Sequence, residues 1–391
     1  MRIGINGGGI SGLTFMNYLQ QKGVNVTLFE KKDAFEENGS GILMGINAMK
    51  ILQDLELDKA VIKKGQVIES MSQVYYDGTL LTKVDTAKMH KDTEQYTVCI
   101  SRSDLHAVLA KHITSGRIRM NTEAVGTRQA DGQIEISLVD SKNQKEIKSE
   151  KFDFLIGADG IFSKTRESFY GPTALRYSGY TCFRFIVEAP KELDQTKAFE
   201  FLGLGKRLGV FPQGQNKIYC FATLNATMGD ETYRNISKEN FAHLFKEFPA
   251  AAQGCLDNLI GDDSSVLIQR DIADLKKSIL HVPKTGIIFC GDAGHATTPN
   301  LGQGAAMGME DAYVFAKNWQ PSIAPGDMAE QFNTRRKKRV EFIRSQSRFF
   351  GKIGQIENSV AAAIRNKFLK LAPQSFVQKN MQSLLLHSSV F

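Results

Sequence analysis

The sequence predicts an α/β chain: a doubly wound parallel-sheet domain carrying an inserted, mainly antiparallel β-sheet, followed by a C-terminal helical segment. Short apolar runs end in glycine-rich turns at residues 2–12, 152–160 and 286–294, the pattern of buried parallel strands whose C-terminal ends face a ligand. Between the second and third blocks, residues 171–279 alternate apolar and polar side chains, as in Thr181-Cys182-Phe183-Arg184-Phe185-Ile186-Val187, the period of a strand with one buried face. From about Asp327 the pattern becomes helical and basic, with interruptions at Gly351, Gly354 and Pro373.

A length of 391 residues implies two domains. The expected division is discontinuous: residues 1–70, 98–170 and 280–345 form the nucleotide-binding domain. Residues 71–97 and 171–279 form the second sheet, with Asp77-Gly78 as a hairpin turn, and residues 346–391 form the helical segment. Hydrophobic residues at 42% and charged residues at 23% describe an ordinary globular protein. The chain starts directly in an apolar strand without signal-peptide features, and no apolar run reaches the ~18 residues of a membrane span, so a cytoplasmic location is expected.

The five cysteines, Cys99, Cys182, Cys220, Cys255 and Cys290, are widely spaced and form no CxxC or Cys/His cluster. That pattern argues against a disulfide framework and a metal site, and predicts reduced, mostly buried thiols. A formal net charge of +7 suits an anionic ligand. The run Arg335-Arg336-Lys337-Lys338-Arg339 reads as a solvated helix face rather than a nucleic-acid contact. The C-terminal segment is expected to pack on the first domain, its basic amphipathic character leaving weak peripheral membrane association as the alternative.

Gly7-Gly8-Gly9-Ile10-Ser11-Gly12 directly follows a strand and opens a helix. Gly7 permits the tight turn, Gly9 lets backbone approach a pyrophosphate, Gly12 allows close helix packing, and the amides around Ile10 and Ser11 attract phosphate charge. A second strand ends at Glu30, with Lys31 beside it, where an acidic side chain accepts from adenosine ribose hydroxyls. Both FAD and NAD contain this ADP half, so the motif alone does not choose between them.

Two further motifs choose. Asp159-Gly160-Ile161-Phe162-Ser163-Lys164-Thr165-Arg166 resembles the DG motif of class A flavoprotein monooxygenases, the p-hydroxybenzoate hydroxylase family. Gly291-Asp292-Ala293-Gly294-His295-Ala296-Thr297-Thr298-Pro299-Asn300-Leu301-Gly302-Gln303-Gly304-Ala305 resembles the same family's GD motif. The resemblance implies a Rossmann-like FAD-binding domain of the GR2 type. It further implies that Asp159 and Arg166 connect the FAD pyrophosphate region with NAD(P)H, a buried salt bridge between them being compatible with that role. Asp292 is suited to the ribitol hydroxyls, and Gly302 and Gly304 to backbone lying against a flat ring. A helix starting near Gln303 and Ala305 would aim its amides at the ring edge where negative charge builds up on reduction. Pro299 is expected beside ring and substrate, and His295 to serve the loop.

Arg102, in Ser101-Arg102-Ser103-Asp104-Leu105, matches the family arginine that reaches the FAD phosphates or ribitol. The alternative is a surface helix arginine with Ser103 or Asp104 capping. Gly39-Ser40-Gly41-Ile42-Leu43 resembles the loop near the flavin dimethylbenzene and ribityl side, which brings in Gly41 and Ile42, and Val125 fits a backbone contact to adenine by position. Gly179 to Arg184 and Gly205 through Tyr219 look most like the branch of salicylate, urate and 3-hydroxybenzoate hydroxylases and quinolone monooxygenases. Arg207 and Tyr219 occupy positions that face substrate in urate hydroxylase-like members, a purely structural sheet role being the alternative.

The resemblance implies an enzyme, a monomer or homodimer, that uses FAD, NADH or NADPH and O2 to hydroxylate a small aromatic or heteroaromatic substrate through a flavin C4a-hydroperoxide, without a metal. Alternatives are a related epoxidase, reductase or antibiotic-modifying oxygenase, and a non-catalytic FAD-binding protein. No second GxGxxG follows a strand, as expected if NAD(P)H binds transiently in a shared groove.

Overall fold

The computed structural model describes residues 1–35 and 40–391. Among them a six-stranded sheet runs in the order His281–Val282, Ile287–Phe289, Phe154–Gly157, Arg2–Asn6, Asn25–Phe29, Ile118–Arg119, parallel except at the first pair. Ile3, Ile5, Phe154, Leu155, Ile156, Ile287 and Ile288 are buried without alternation, because helices and the neighbouring sheet cover both faces. The register aligns Asn6 with Gly157 and Gly157 with Phe289, so the three glycine-rich turns leave the sheet side by side.

A second, seven-stranded sheet runs Ile268–Leu275, Leu175–Glu188, Lys217–Asn225, Lys206–Gly214, Lys197–Leu202, Ser70–Tyr75, Leu80–Asp85, antiparallel except where Lys197–Leu202 meets Ser70–Tyr75. Phe183, Phe185 and Phe201 point from one face into a core closed by the helices Lys238–His243 and Ala250–Gly261. The predicted hairpin turn is present: Gly78 has φ +88°, and its N–H donates to Tyr75 O at 2.9 Å. All five cysteines are buried and free.

The C-terminal helices are Pro325–Gly354, Ser359–Leu371 and Gln374–Leu385. Gly351 does not interrupt the first of them. Its missing side chain instead lets the helix approach Asn300, with which a Cβ would collide.

The basic run is only half solvated. Arg335, Lys337 and Lys338 are exposed, but Arg336 and Arg339 are 0% and 1% exposed. A spacing of three puts both guanidinium groups on the face turned toward the helix Gly304–Lys317, where Glu310 and Asp311 are equally buried. Arg336 Nε donates to Asp311 Oδ1 at 2.7 Å, and Arg339 Nη2 to Glu310 Oε1 at 2.8 Å. Asn47 Nδ2 donates to Glu310 at 2.9 Å, and the Gly291 N–H to Asp311 Oδ2 at 2.9 Å. Charges buried this deeply are tolerable because almost every donor has an acceptor.

Removing one member leaves the others uncompensated. Glu310→Ala is expected to lower the unfolding free energy by about 3–5 kcal/mol, read from urea midpoints. Burial alone would raise the Asp311 carboxyl, yet His295 and Arg336 outweigh it and hold it at about 2, below the ordinary 3.8. A carboxyl depressed in the folded state stabilises above its unfolded pKa, and this stabilisation is lost as pH falls through the folded value. The melting temperature should therefore drop between about pH 4 and pH 2, and Asp311→Asn should flatten that part of the profile.

Candidate functional site

The three turns touch one another, and at each contact only glycine fits. Gly7 has φ +109°, and a Cβ there would collide with the Ala158 carbonyl. A Cβ on Gly12 would meet Gly7 O, and one on Gly291 or Gly308 would meet Ser11 Oγ. On the other side the turns are open: a Cβ at Gly9, Gly302 or Gly304 would find no atom of the described residues within 4 Å. Gly9 caps the helix Ile10–Gln21 without any side-chain capping bond, so the cap residue itself places no side chain on the amides of that first turn. A phosphate-bearing ligand with a flat ring fits an edge with these features.

Glu30 stands over the first turn. Its Oε2 accepts from the Gly8 N–H at 2.7 Å and Oε1 from the Lys32 N–H at 2.9 Å, which leaves acceptor capacity on both oxygens. Lys31 beside it is exposed. Glu30 O accepts from the Thr122 N–H at 2.9 Å, bringing in the strand Thr122–Ala130, on which Val125 is exposed.

Asp159 and Arg166 bond to the loops and not to each other. Asp159 accepts from Asn6 Nδ2 at 3.1 Å, Ser163 Oγ at 2.6 Å and Thr165 N–H at 3.0 Å. Arg166, 2% exposed, donates to Ile161 O at 2.6 Å, to Thr173 Oγ1 and to Ala293 O, tying the second turn to the third. The alternative of a salt bridge between them is therefore not what forms: each bonds to its own neighbours.

Asp292 and Pro299 are exposed at the third turn. Gly302 is left-handed at φ +62°, and the next helix starts at Gly304 with Ala305 half-buried in its first turn. The buried Gln303 is held by Asn47 Nδ2 at 2.9 Å. His295 Nε2 lies 2.6 Å from Asp311 Oδ2 and is 1% exposed, buried against the helix Gly304–Lys317.

Gly41 pairs with Ser101, and Ile42 beside it is half-buried; Gly39 lies outside the described residues. Arg102 begins the helix Arg102–Ala110, and its N–H donates to Ser40 O at 3.1 Å. The cap of that helix is Ser101, which accepts from the Asp104 N–H at 3.1 Å, and not Ser103 or Asp104 as the surface-arginine alternative had it.

The second sheet meets the strand Gly41–Met44 at Tyr219: a Cβ on Gly41 would sit 2.5 Å from Tyr219 Cβ. Burial pushes the Tyr219 phenol well above its ordinary pKa. Arg207, 4% exposed, donates to Asn300 Oδ1 at 2.7 Å, Gln355 Oε1 at 2.8 Å and Glu200 Oε1 at 3.0 Å. Arg207 thus reaches the Pro299 turn through Asn300 and not as an open cation.

The residue that sequence reasoning missed is Arg184. Half-buried, it sits near Cys182, Tyr219 and Asp292, and together these neighbours outweigh burial and raise its pKa. Strand alternation could have found it, since Phe183 and Phe185 face the core and Arg184 must face the other way.

The family model described as "FAD binding domain" matches residues 1–341. The chain is similar to 2-heptyl-3-hydroxy-4(1H)-quinolone synthase of Pseudomonas aeruginosa, 28% identical, with 98% of this chain and 97% of the relative covered. It is also similar to the aurachin C monooxygenase/isomerase of Stigmatella aurantiaca, 29% identical over 94% and 93%. The crystal structure of Klebsiella pneumoniae HpxO complexed with FAD and uric acid superposes with a TM-score of 0.87, 20% identity and coverage of 98% and 97%.

The contrast between closed and open glycines is directly testable. Gly12→Ala should destabilise the protein by more than about 2 kcal/mol, because backbone must move. Gly9→Ala should leave the ligand-free melting temperature within about 2 °C of wild type. Equal losses in thermal melts would show that the edge at Gly9 is not open.

Proposed function

Because the chain belongs to the FAD binding domain family, we propose that it is an FAD-dependent monooxygenase that consumes NADH or NADPH and O2 to hydroxylate a small heteroaromatic substrate, acting in the cytoplasm as a monomer or homodimer. The observation that carries the reading is the meeting of three glycine-rich strand ends at one open edge, with Arg184 of the second sheet near Asp292 of the third turn. The two quinolone- and aurachin-related enzymes and the uric acid complex support a nitrogen heteroaromatic substrate.

In this reading Gly7, Gly9, Ile10, Ser11 and Gly12 hold the pyrophosphate with backbone amides. Glu30 and Lys31 bind the ribose region and Val125 backs the adenine. Gly41, Ile42 and Arg102 line the ribityl side and Asp292 takes the ribitol hydroxyls. Pro299, Gly302, Gln303, Gly304 and Ala305 support the ring, where the amides of the helix Gly304–Lys317 favour negative charge. Asp159 and Arg166 act by fixing the loops that NAD(P)H crosses. Residues 1–70, 98–170 and 280–345 carry the cofactor, 71–97 and 171–279 the substrate, and 346–391 brace both.

FAD held by these residues would supply the redox chemistry that couples oxidation of NAD(P)H to activation of O2. One oxygen atom enters the substrate and the other leaves as water. The chain's own residues position the substrate: Tyr219 closes the pocket against Gly41, Arg207 sets the Asn300–Pro299 turn, and Arg184 offers its guanidinium to an anionic or enolic ring oxygen.

The purified protein should be yellow, and quinolones or purines should stimulate NAD(P)H oxidation with a product heavier by one oxygen atom. A chain that takes up no FAD, or a flavin that NAD(P)H never reduces, would sink the proposal. Gly9→Ala should lose most bound flavin while staying folded. Arg184→Met should raise KM for an anionic substrate by roughly tenfold or more with a smaller change in kcat, as loss of a charge-assisted hydrogen bond requires.

A further inference from the structure

The helix Ser359–Leu371 carries an apolar stripe on its outer side. Val360, Ile364, Phe368 and Leu371 recur at intervals of four, four and three residues and are all exposed, Phe368 at 73% and Leu371 at 68%. Phe376, early in the next helix, extends the patch and is 60% exposed. The inner side is already occupied. Ala362 and Arg365 are buried, Arg365 donates to Ile353 O at 3.2 Å, and Gln378 exchanges hydrogen bonds with the backbone of Asp85 at 2.7 and 3.0 Å. Both helices are thus anchored; Val360, Ile364 and Phe368 turn away from the protein, and Leu371, with Lys367 and Lys370, borders a shallow groove whose other wall is Tyr75, Asp77, Thr79 and Leu81.

Charge selects what covers it. Residues 358–391 contain Arg365, Lys367, Lys370 and Lys379 and no aspartate or glutamate, and the three lysines are exposed. A second copy would bring the same lysines against these, on a chain already at +7. No helix among the described residues is long and apolar enough to cross a membrane.

We propose that this face docks on the surface of an anionic phospholipid bilayer, with the stripe inserted at the headgroup level and Lys367, Lys370 and Lys379 on the lipid phosphates. The docked helix lies next to the site. Gln355, in the link just before it, bonds Arg207 and Thr223, each at 2.8 Å, and Arg207 holds Asn300. Resting on the hydroxylase reading above, the consequence is a lipophilic heteroaromatic substrate drawn from the bilayer into the pocket beside Arg207.

The test is sedimentation of the flavin-loaded protein with phosphatidylglycerol-rich vesicles and with pure phosphatidylcholine vesicles, followed by protein and flavin absorbance. Expected is at least ~10-fold stronger partitioning to the anionic vesicles. The pair Phe368→Glu with Leu371→Glu, and separately Lys367→Glu with Lys370→Glu, should each lose at least ~10-fold while keeping flavin content and turnover of a water-soluble substrate. Wild-type protein that stays in the supernatant overturns the proposal, as do variant pairs that sediment like wild type. A dimer that becomes monomeric in the Phe368→Glu, Leu371→Glu protein also overturns it, since a second copy would then own the stripe. Sedimentation needs no turnover, so failure of the hydroxylase reading and failure of membrane docking show up separately.

Discussion

A dry cluster of opposite charges holds the ligand edge in place. Glu310 and Asp311, adjacent on one helix, are matched by Arg336 and Arg339 on the next, all essentially without solvent. From this cluster single hydrogen bonds run outward. Asp311 fixes the Gly291 amide and His295, and Glu310 fixes Asn47, which in turn holds Gln303. In a low-dielectric interior such bonds are stiff, and leaving any member unpaired is costly. The start of the Gly304–Lys317 helix is thereby set by charges placed behind it, leaving its open side free.

Specific contacts tie the second sheet to the strand Gly41–Met44, to the third turn and to the C-terminal link. Tyr219 rests on Gly41, where any side chain would intrude, and Arg207 links the second sheet to Asn300 and to Gln355 beyond the long helix. Gly351 allows that helix to touch Asn300 as well. Sheet, turn and helix therefore share the Asn300 side chain, which ties together three distant stretches of chain.

The parallel sheet, the hairpin at Gly78 and the three glycine turns were legible because each is encoded in adjacent residues: a branched apolar run, a positive φ, a helix start. The DG and GD turns were legible for the same reason. Other features were read less well. Two of the five residues in the basic run proved to be buried, Gly351 proved to be a point of close approach, and Arg184 went unnoticed although Arg207 was named.

Local sequence by itself determined where strands end and where backbone must come close to a ligand, since steric rules act between neighbours along the chain. Only tertiary structure decided which arginines are buried, which stay open and which carboxylates answer them. Those outcomes rest on partners far away in sequence, such as Arg336 with Asp311 or Arg207 with Gln355, and the free energy of a charge is set by what surrounds it in space.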